Sequence, residues 1–426
     1  MPPSLQREEF KYDGELTAFL KKAVAYADTY SHFSFFQSND IPYPFEPFKT
    51  LVAIGAKEIL KPSHANFDAL GAFHQDDWVF GFLGYDLKNE LELLKSEHSN
   101  HENFDNIGFF KPEILIELEQ NNVIITAANP SAIWQIITKT IDSKIAPIDV
   151  GRIKSKISKT EYIESVEKLR SHIEEGDIYE INFCQEFYGD IKALNPSDVY
   201  WALNTASPKP FSAFQKFNDQ YLVCASPERF MRKAGNKLTS QPIKGTVRRG
   251  QDDEEDAILK HQLRNDEKEM AENMMIVDLV RNDLAKSSKT GSVKVEEMFG
   301  IYAFEQVFQM ISTVTSESRD GLTYLDVIKN AFPMGSMTGA PKHKVMQLIE
   351  LYESSKRGIF SGAAGYISPD GDFDFNVIIR SIFLNMKDNQ FSFQVGSAIT
   401  YDSDPEKEYE ECLLKASAIR SILTTK

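Results

Sequence analysis

Two segments of the chain place glutamates three residues apart: Glu269 and Glu272 in NDEKEMAENMMIVDL, and Glu408 and Glu411 in DPEKEYEECLLKA. On a helix that spacing projects both carboxylates of a pair from one face. Brought together, four carboxylates would suit a hard cation such as Mg2+, which takes oxygen ligands and keeps several waters. A chain with 63 Asp and Glu also contains such pairs by chance on solvated helix faces, and spacing alone does not separate the two origins. In SQPIKGTVRRG, Lys244 lies between an apolar Pro-Ile pair and Gly245, so its stem can be partly buried. A desolvated lysine shifts its pKa downward and becomes a nucleophile or base, although most lysines in such settings are ordinary surface residues. In FPMGSMTGAPKHKVMQLIELYE, small residues lead into Pro341 as a first helical residue, and Lys342, His343 and Lys344 fill the first turn, where the helix macrodipole disfavours positive charge. A bound anion would offset that cost, and so would salt screening of surface lysines. VGSAITYDSDPEKE sets Gly396, Ser397 and Ala398 before an acidic helix start, which allows backbone N–H groups to approach a ligand or a strand to pack tightly.

These groups need elements to hold them. Ser158 stands three residues before Glu161, a capping-box spacing, and Tyr162, Ile163, Val166, Leu169 and Ile173 follow at helical period until Gly176. EILIELE and NVIITAA, flanking Gln120, Asn121 and Asn122, predict a β-hairpin. The pieces IYEINFCQEF, QYLVCAS, FDFNVIIRSIFLN and FSFQVGSAITY read as strands, several apolar on both faces, and alternate with helical stretches near 255–286, 341–356 and 405–423. A sheet covered by helices follows. The stretch Lys144 to Ser158, with Pro147, Gly151 and four basic residues, reads as a connector between an N-terminal part, 1–150, and a larger part, 151–426, that share one core. With 426 residues, 42% of them hydrophobic, the chain has ample material for that core.

Composition and missing motifs exclude several classes. A formal charge of −16 removes the general affinity for phosphate backbones that a basic protein has, so no nucleic-acid partner is expected. Cys184, Cys224 and Cys412 form neither a CxxC nor an even set, and the eight histidines show no HxH or HExxH spacing. Walker, GxGxxG and GxSxG patterns are absent. The N-terminus lacks a charged n-region followed by an apolar h-region, and no stretch approaches the ~18 apolar residues of a membrane span. The expectation is a soluble protein of the reducing cytoplasm, with no membrane partner. Its acidity poses a question: an anionic substrate must find local positive charge in a molecule that repels it overall.

Taken in order, GDIYEINFCQ (176–185), SPERF (226–230), PIKGT (242–246), NDEKEMAENMMIVDLVRNDL (265–284), GSMTGAPK (335–342), SGAAGY (361–366) and DPEKEYEE (404–411) resemble the chorismate-utilising enzymes. The likeness runs from about residue 155 to the end and is looser before it, as at SFFQS (34–38). It implies an α+β fold of two packed β-sheets with helices outside. It also implies Mg2+ on Glu269, Glu272, Glu408 and Glu411, holding the ring carboxylate of chorismate beside Thr246 and backbone groups at Gly396 and Ala398. Arg380 and Lys415 match positions that bind substrate carboxylates, Arg380 with a fork suited to the enolpyruvyl end. Glu228 corresponds to the general acid that protonates the departing C4 hydroxyl, which requires a raised pKa.

Within the family, PIKGT is typical of aminodeoxychorismate synthases, transferases in which the lysine adds to ring C2 and ammonia then displaces it by attack at C4. The implied partners are a separate glutamine amidotransferase subunit as the source of ammonia and a pyridoxal-phosphate lyase downstream, toward 4-aminobenzoate and folate. For that chemistry Mg2+ and desolvation must depress the pKa of Lys244. Departures are Gln309 at a family histidine, Glu180 at a frequent Gln, Gln241 at a frequent Arg, Phe360 at a frequent Tyr and Ala398 at a frequent Gly. Two alternatives stand beside this reading: the large subunit of anthranilate synthase, which eliminates pyruvate itself, and a non-catalytic chorismate-binding subunit.

Overall fold

The strand His32–Gln37, HFSFFQ, is buried along its whole length, because Phe33 and Phe35 face one apolar layer and Phe36 faces another. That doubly covered strand summarises the architecture. The computed structural model describes residues 5–120, 122–140, 146–305 and 307–424. Asn121 of the expected hairpin turn and Lys144 at the head of the expected connector lie outside the described residues.

All strand pairs are antiparallel and fall into two joined sheets. One runs Gln6–Lys11, Asn122–Ala127, Ile107–Glu119, Thr50–Ile59, His32–Gln37, Phe211–Phe217, Gln220–Ser226, Ser381–Asn385, Gln390–Ile399, Glu180–Ala193. The other runs Val79–Leu83, Ala363–Ile367, Phe373–Asn376, Arg229–Ala234, Lys237–Gln241, Val307–Glu317, the last flanked by Ile243–Arg248 and Lys294–Ala303. The long strand Ile107–Glu119 joins them, its start pairing with Val79–Leu83 and its end with Asn122–Ala127. Strands from both sides of residue 150 are hydrogen-bonded to one another, as His32–Gln37 is to Phe211–Phe217.

Phe36, Phe80, Phe82, Phe109, Leu222 and Phe375 belong to one apolar cluster fed by both sheets. Phe33, Phe35, Val52 and Ile54 belong to a second, filled from outside by Phe19 and Val24 of helix Leu16–Ala27 and by Tyr162 and Val166 of helix Lys159–Glu174. Each such side chain removed from water contributes roughly 1.5–3 kcal/mol. Helices Asp253–Arg264 and Glu267–Ala285 lie against Ile243–Arg248 and Val307–Glu317. Mixed helix and sheet, two layers and outer helices are the α+β arrangement the resemblance implies. Among the described residues no helix is long and apolar enough to cross a membrane.

The capping box forms as expected, with Ser158 and Glu161 bonding reciprocally at the start of Lys159–Glu174. FDFNVIIRSIFLN, by contrast, is two strands: Phe373–Asn376 joins the second sheet and Ser381–Asn385 the first. Between them Arg380 takes the left-handed backbone conformation at φ 53°, so the chain changes sheets where a continuous strand was expected.

Candidate active site

Lys244 lies on Ile243–Arg248, which pairs with Val307–Glu317 through Ile243↔Ile311 and Thr246↔Gln309, with an irregularity between these pairs. Gly245 makes the approach to the neighbouring helix possible. At φ +93° it suits glycine, and a Cβ there would stand 3.3 Å from Glu269 Oε2. Asn273 of the same helix donates to the Lys244 carbonyl at 3.3 Å and accepts from Ser312 at 2.6 Å, tying helix to strands. The Lys244 ammonium, its side chain only 14% exposed, lies 2.7 Å from Glu180 Oε1 and 3.9 Å from Glu272 Oε2.

The expected depression of Lys244 is reversed in this arrangement. Burial disfavours its charge, but Glu180, Glu272 and Glu411 together outweigh burial and raise its pKa above the usual lysine value. Glu228 behaves as the general-acid role requires. It is buried two residues beyond strand Gln220–Ser226, and desolvation pushes its carboxyl up to about 7 against a hydrogen bond from Ser336 and the charge of Lys244. Ser336 sits in the GSMTGAP turn, which is docked backbone to backbone on the strand carrying Glu180: Gly339 pairs with Ile181, and a Cβ at Gly339 would lie 2.0 Å from the Glu180 carbonyl oxygen.

The glutamate pairs project from helices Glu267–Ala285 and Pro405–Lys415. Glu408 is buried and accepts from Ser403 at 2.7 Å, while Glu411 is half exposed and paired with Lys415 at 2.6 Å. Burial opposes ionisation of Glu411, but Lys415 outweighs it and the carboxyl lies below its ordinary range. Desolvation raises Glu269, and it raises Glu272 to about 7 despite Lys244. Glu180 keeps a buried oxygen, Oε2, with no hydrogen-bond donor. Carboxylates on two helices, two of them held above their ordinary range by desolvation, are the donor set of a hard divalent cation, so the residues fit Mg2+. No three of the four glutamates lie within 4.8 Å of one another. Among the described residues the trio that does is His172, Glu175 and Asp177, elsewhere on the surface.

The remaining expected residues have these places. Thr246 is exposed opposite Gln309, whose Oε1 is buried and unpartnered. Gly396 and Ala398 lie on Gln390–Ile399, opposite Cys184 and Asn182, and the Gly396 carbonyl accepts from Lys415 at 3.0 Å. Arg380 is half-buried at the crossover between the sheets. Gln241 serves structure, accepting from the buried Arg229 at 2.6 Å. Of the two readings of the helix after GSMTGAP, a bound anion or salt-screened surface lysines, neither describes the arrangement, in which carboxylates of the protein meet the cations. Lys342 bonds Asp283 at 2.6 Å and two backbone carbonyls, His343 meets Glu92 at 3.0 Å, and Lys344 meets Asp177 at 3.5 Å. Pro341 caps that helix rather than starting it.

One positioning group escaped sequence reasoning. Arg357 bonds Glu353 at 2.6 and 2.9 Å, the Met337 carbonyl at 2.6 Å and the Asn182 carbonyl at 2.7 Å, joining the GSMTGAP turn to the Glu180 strand. Glu353 and Arg357 are four residues apart, a spacing indistinguishable from a surface pair, yet both are buried.

A family model described as chorismate binding enzyme matches residues 15–421. The chain is 39% identical over 271 residues to anthranilate synthase component 1 of Aquifex aeolicus, covering 64% of this chain and 54% of that protein. It thus spans about half the length of that relative. It is 31% identical over 362 residues to aminodeoxychorismate synthase component 1 of Bacillus subtilis, covering 81% and 76%. The solved menaquinone-specific isochorismate synthase of Escherichia coli shares its fold, with a TM-score of 0.77 at 17% identity over 99% of this chain and 95% of that one.

Proposed function

The chain belongs to the chorismate binding enzyme family, and from that premise we propose that it aminates chorismate at C4, with ammonia from a glutamine amidotransferase subunit, giving 4-amino-4-deoxychorismate. The observation that carries this reading is Lys244, buried among Glu180 and Glu272 and close enough to Glu228 to affect its ionisation. A lysine nucleophile and a carboxyl protonated near neutrality are the two groups that displacement of a ring hydroxyl needs.

Protonated Glu228 donates to the departing C4 hydroxyl, which leaves as water. Lys244, having passed a proton toward Glu180 Oε1 at 2.7 Å, forms a bond to C2. Ammonia then attacks C4, the C2–N bond breaks, and the lysine is regenerated while the Glu228 carboxylate takes up a proton from the new amine. Glu269, Glu272, Glu408 and Glu411 would hold Mg2+, with Thr246 and the backbone at Gly396 and Ala398 beside the ring carboxylate. Bound Mg2+ supplies charge that grips that carboxylate and relieves the carboxylate excess that keeps Lys244 protonated. Arg380 and Lys415 serve the substrate's carboxylates.

The experiment is product identity by mass, from chorismate, Mg2+ and an ammonium salt, with and without a pyridoxal-phosphate lyase. The aminated, pyruvate-retaining product is expected; fluorescent anthranilate without the lyase would replace this reading with anthranilate synthesis, the activity named for the Aquifex relative. Chorismate binding with no product at any ammonium concentration would favour a non-catalytic subunit.

A further inference from the structure

Lys209 stands between two prolines in SPKPF, just before strand Phe211–Phe217, and has no part in the reaction as described. It is 8% exposed. Its carbonyl accepts from Asn39 Nδ2 at 2.8 Å and from Ser212 at 3.0 Å, but among the described residues its ammonium has neither a hydrogen-bond acceptor nor a carboxylate partner. The comparably buried Lys88 and Lys111 reach Glu350 at 2.7 Å and Glu58 at 3.3 Å. A buried cation without a directly paired counter-charge is costly, so its retention needs another reason.

Its neighbours supply one. Strands Phe211–Phe217, Gln220–Ser226 and Ser381–Asn385 lie side by side, with Phe211 opposite Ser226 and Cys224 opposite Ser381. Lys209 precedes the first by two residues, Glu228 follows the second by two, and Arg380 immediately precedes the third, its carbonyl accepting from Ala225 N at 3.2 Å. All three therefore emerge at one end of three adjacent strands, each spaced about 4.8 Å from the next. The Arg380 guanidinium is also without a hydrogen bond or ion pair among the described residues. After burial, its charge is the largest influence pressing Lys209 down to about 8, with Glu305 pulling the other way.

We propose that Lys209 and Arg380 form a two-cation seat for the substrate carboxylate that the acidic helices do not hold, making Lys209 a binding residue of this site. The inference rests on the chorismate reading and adds a second positive group at the enolpyruvyl end. The guanidinium offers a planar fork to the carboxylate and the ammonium a point charge beside it. Each cation loses its unpaired state when the dianionic substrate arrives, so affinity is concentrated on ligands bearing a second carboxylate.

The test is calorimetric titration, in Mg2+, of wild type, Lys209→Gln and Lys209→Arg with chorismate and with 3-hydroxybenzoate, which keeps one ring carboxylate and lacks the enolpyruvyl group. Lys209→Gln should bind chorismate about tenfold more weakly, Lys209→Arg should return to within about threefold of wild type, and 3-hydroxybenzoate should not distinguish the proteins. The melting temperature of Lys209→Gln should not fall, because no partner is lost. Equal chorismate affinity in wild type and Lys209→Gln, or an equal loss for both ligands, overturns the proposal. Product identity is read separately: wild type that binds chorismate through this seat but forms no aminated product overturns the proposed reaction alone, and wild type that does not bind chorismate overturns both.

Discussion

Replacing Glu228 by glutamine separates the cost of a buried acid from its use. Glu228 is carried from 4.5 to about 7 by desolvation, a shift that holds the proton by roughly 3 kcal/mol relative to the unfolded chain. Because the folded pKa is the higher one, the stabilisation from the protonated form is fully present below pH 4.5 and is lost as pH rises through about 7. Glutamine keeps the shape and never ionises. Chemical denaturation of wild type and Glu228→Gln across this range should therefore show the variant gaining up to roughly 3 kcal/mol on wild type between acid and about pH 8, whatever its offset in acid. Chorismate turnover should fall about a hundred- to ten-thousand-fold in the same variant. Wild-type turnover should decline as pH rises through about 7, where Glu228 loses its proton. A stability difference that does not vary with pH would refute the buried-acid argument, and undiminished turnover would refute the general-acid role.

Lys244→Ala should lower amination about a thousandfold or more while Mg2+ binding, followed by calorimetry, persists; unchanged turnover would remove the lysine from the reaction. Glu272→Gln should raise the Mg2+ concentration for half-maximal turnover at least about tenfold, and a chelator should abolish turnover reversibly in wild type. Arg357→Met leaves Glu353 buried without its bidentate partner and should cost about 3–5 kcal/mol in unfolding free energy, read by denaturant titration. A loss below about 1 kcal/mol would show that the pair is not needed to join the GSMTGAP turn to the Glu180 strand.

What could be read from the chain alone was whatever depends on local spacing. The Ser158 capping box, the glutamate pairs on two helices and the strand character of QYLVCAS follow from periodicity. The order of the motif blocks led to the family and to the proposal of Lys244 and Glu228 as reacting groups. Tertiary structure decided how charges are partnered, because counter-charges come from distant segments. Lys342 looked free to hold an anion until Asp283, 59 residues away, filled that place. Lys244 looked set for a depressed pKa until Glu180, 64 residues away, reversed the direction. Glu353 and Arg357 carry no signal in the sequence beyond a spacing of four, and only the fold buries them both. Spacing also suggested one strand through Arg380, where the chain instead crosses between sheets. Lys209 shows the same limit from the other side, since a cation's lack of a partner can be seen only once the fold has placed everything around it. On the proposed reading the question raised by the acidity is answered at that level: cations without ion pairs at the end of three adjacent strands, not the net charge, set the potential an anionic substrate meets.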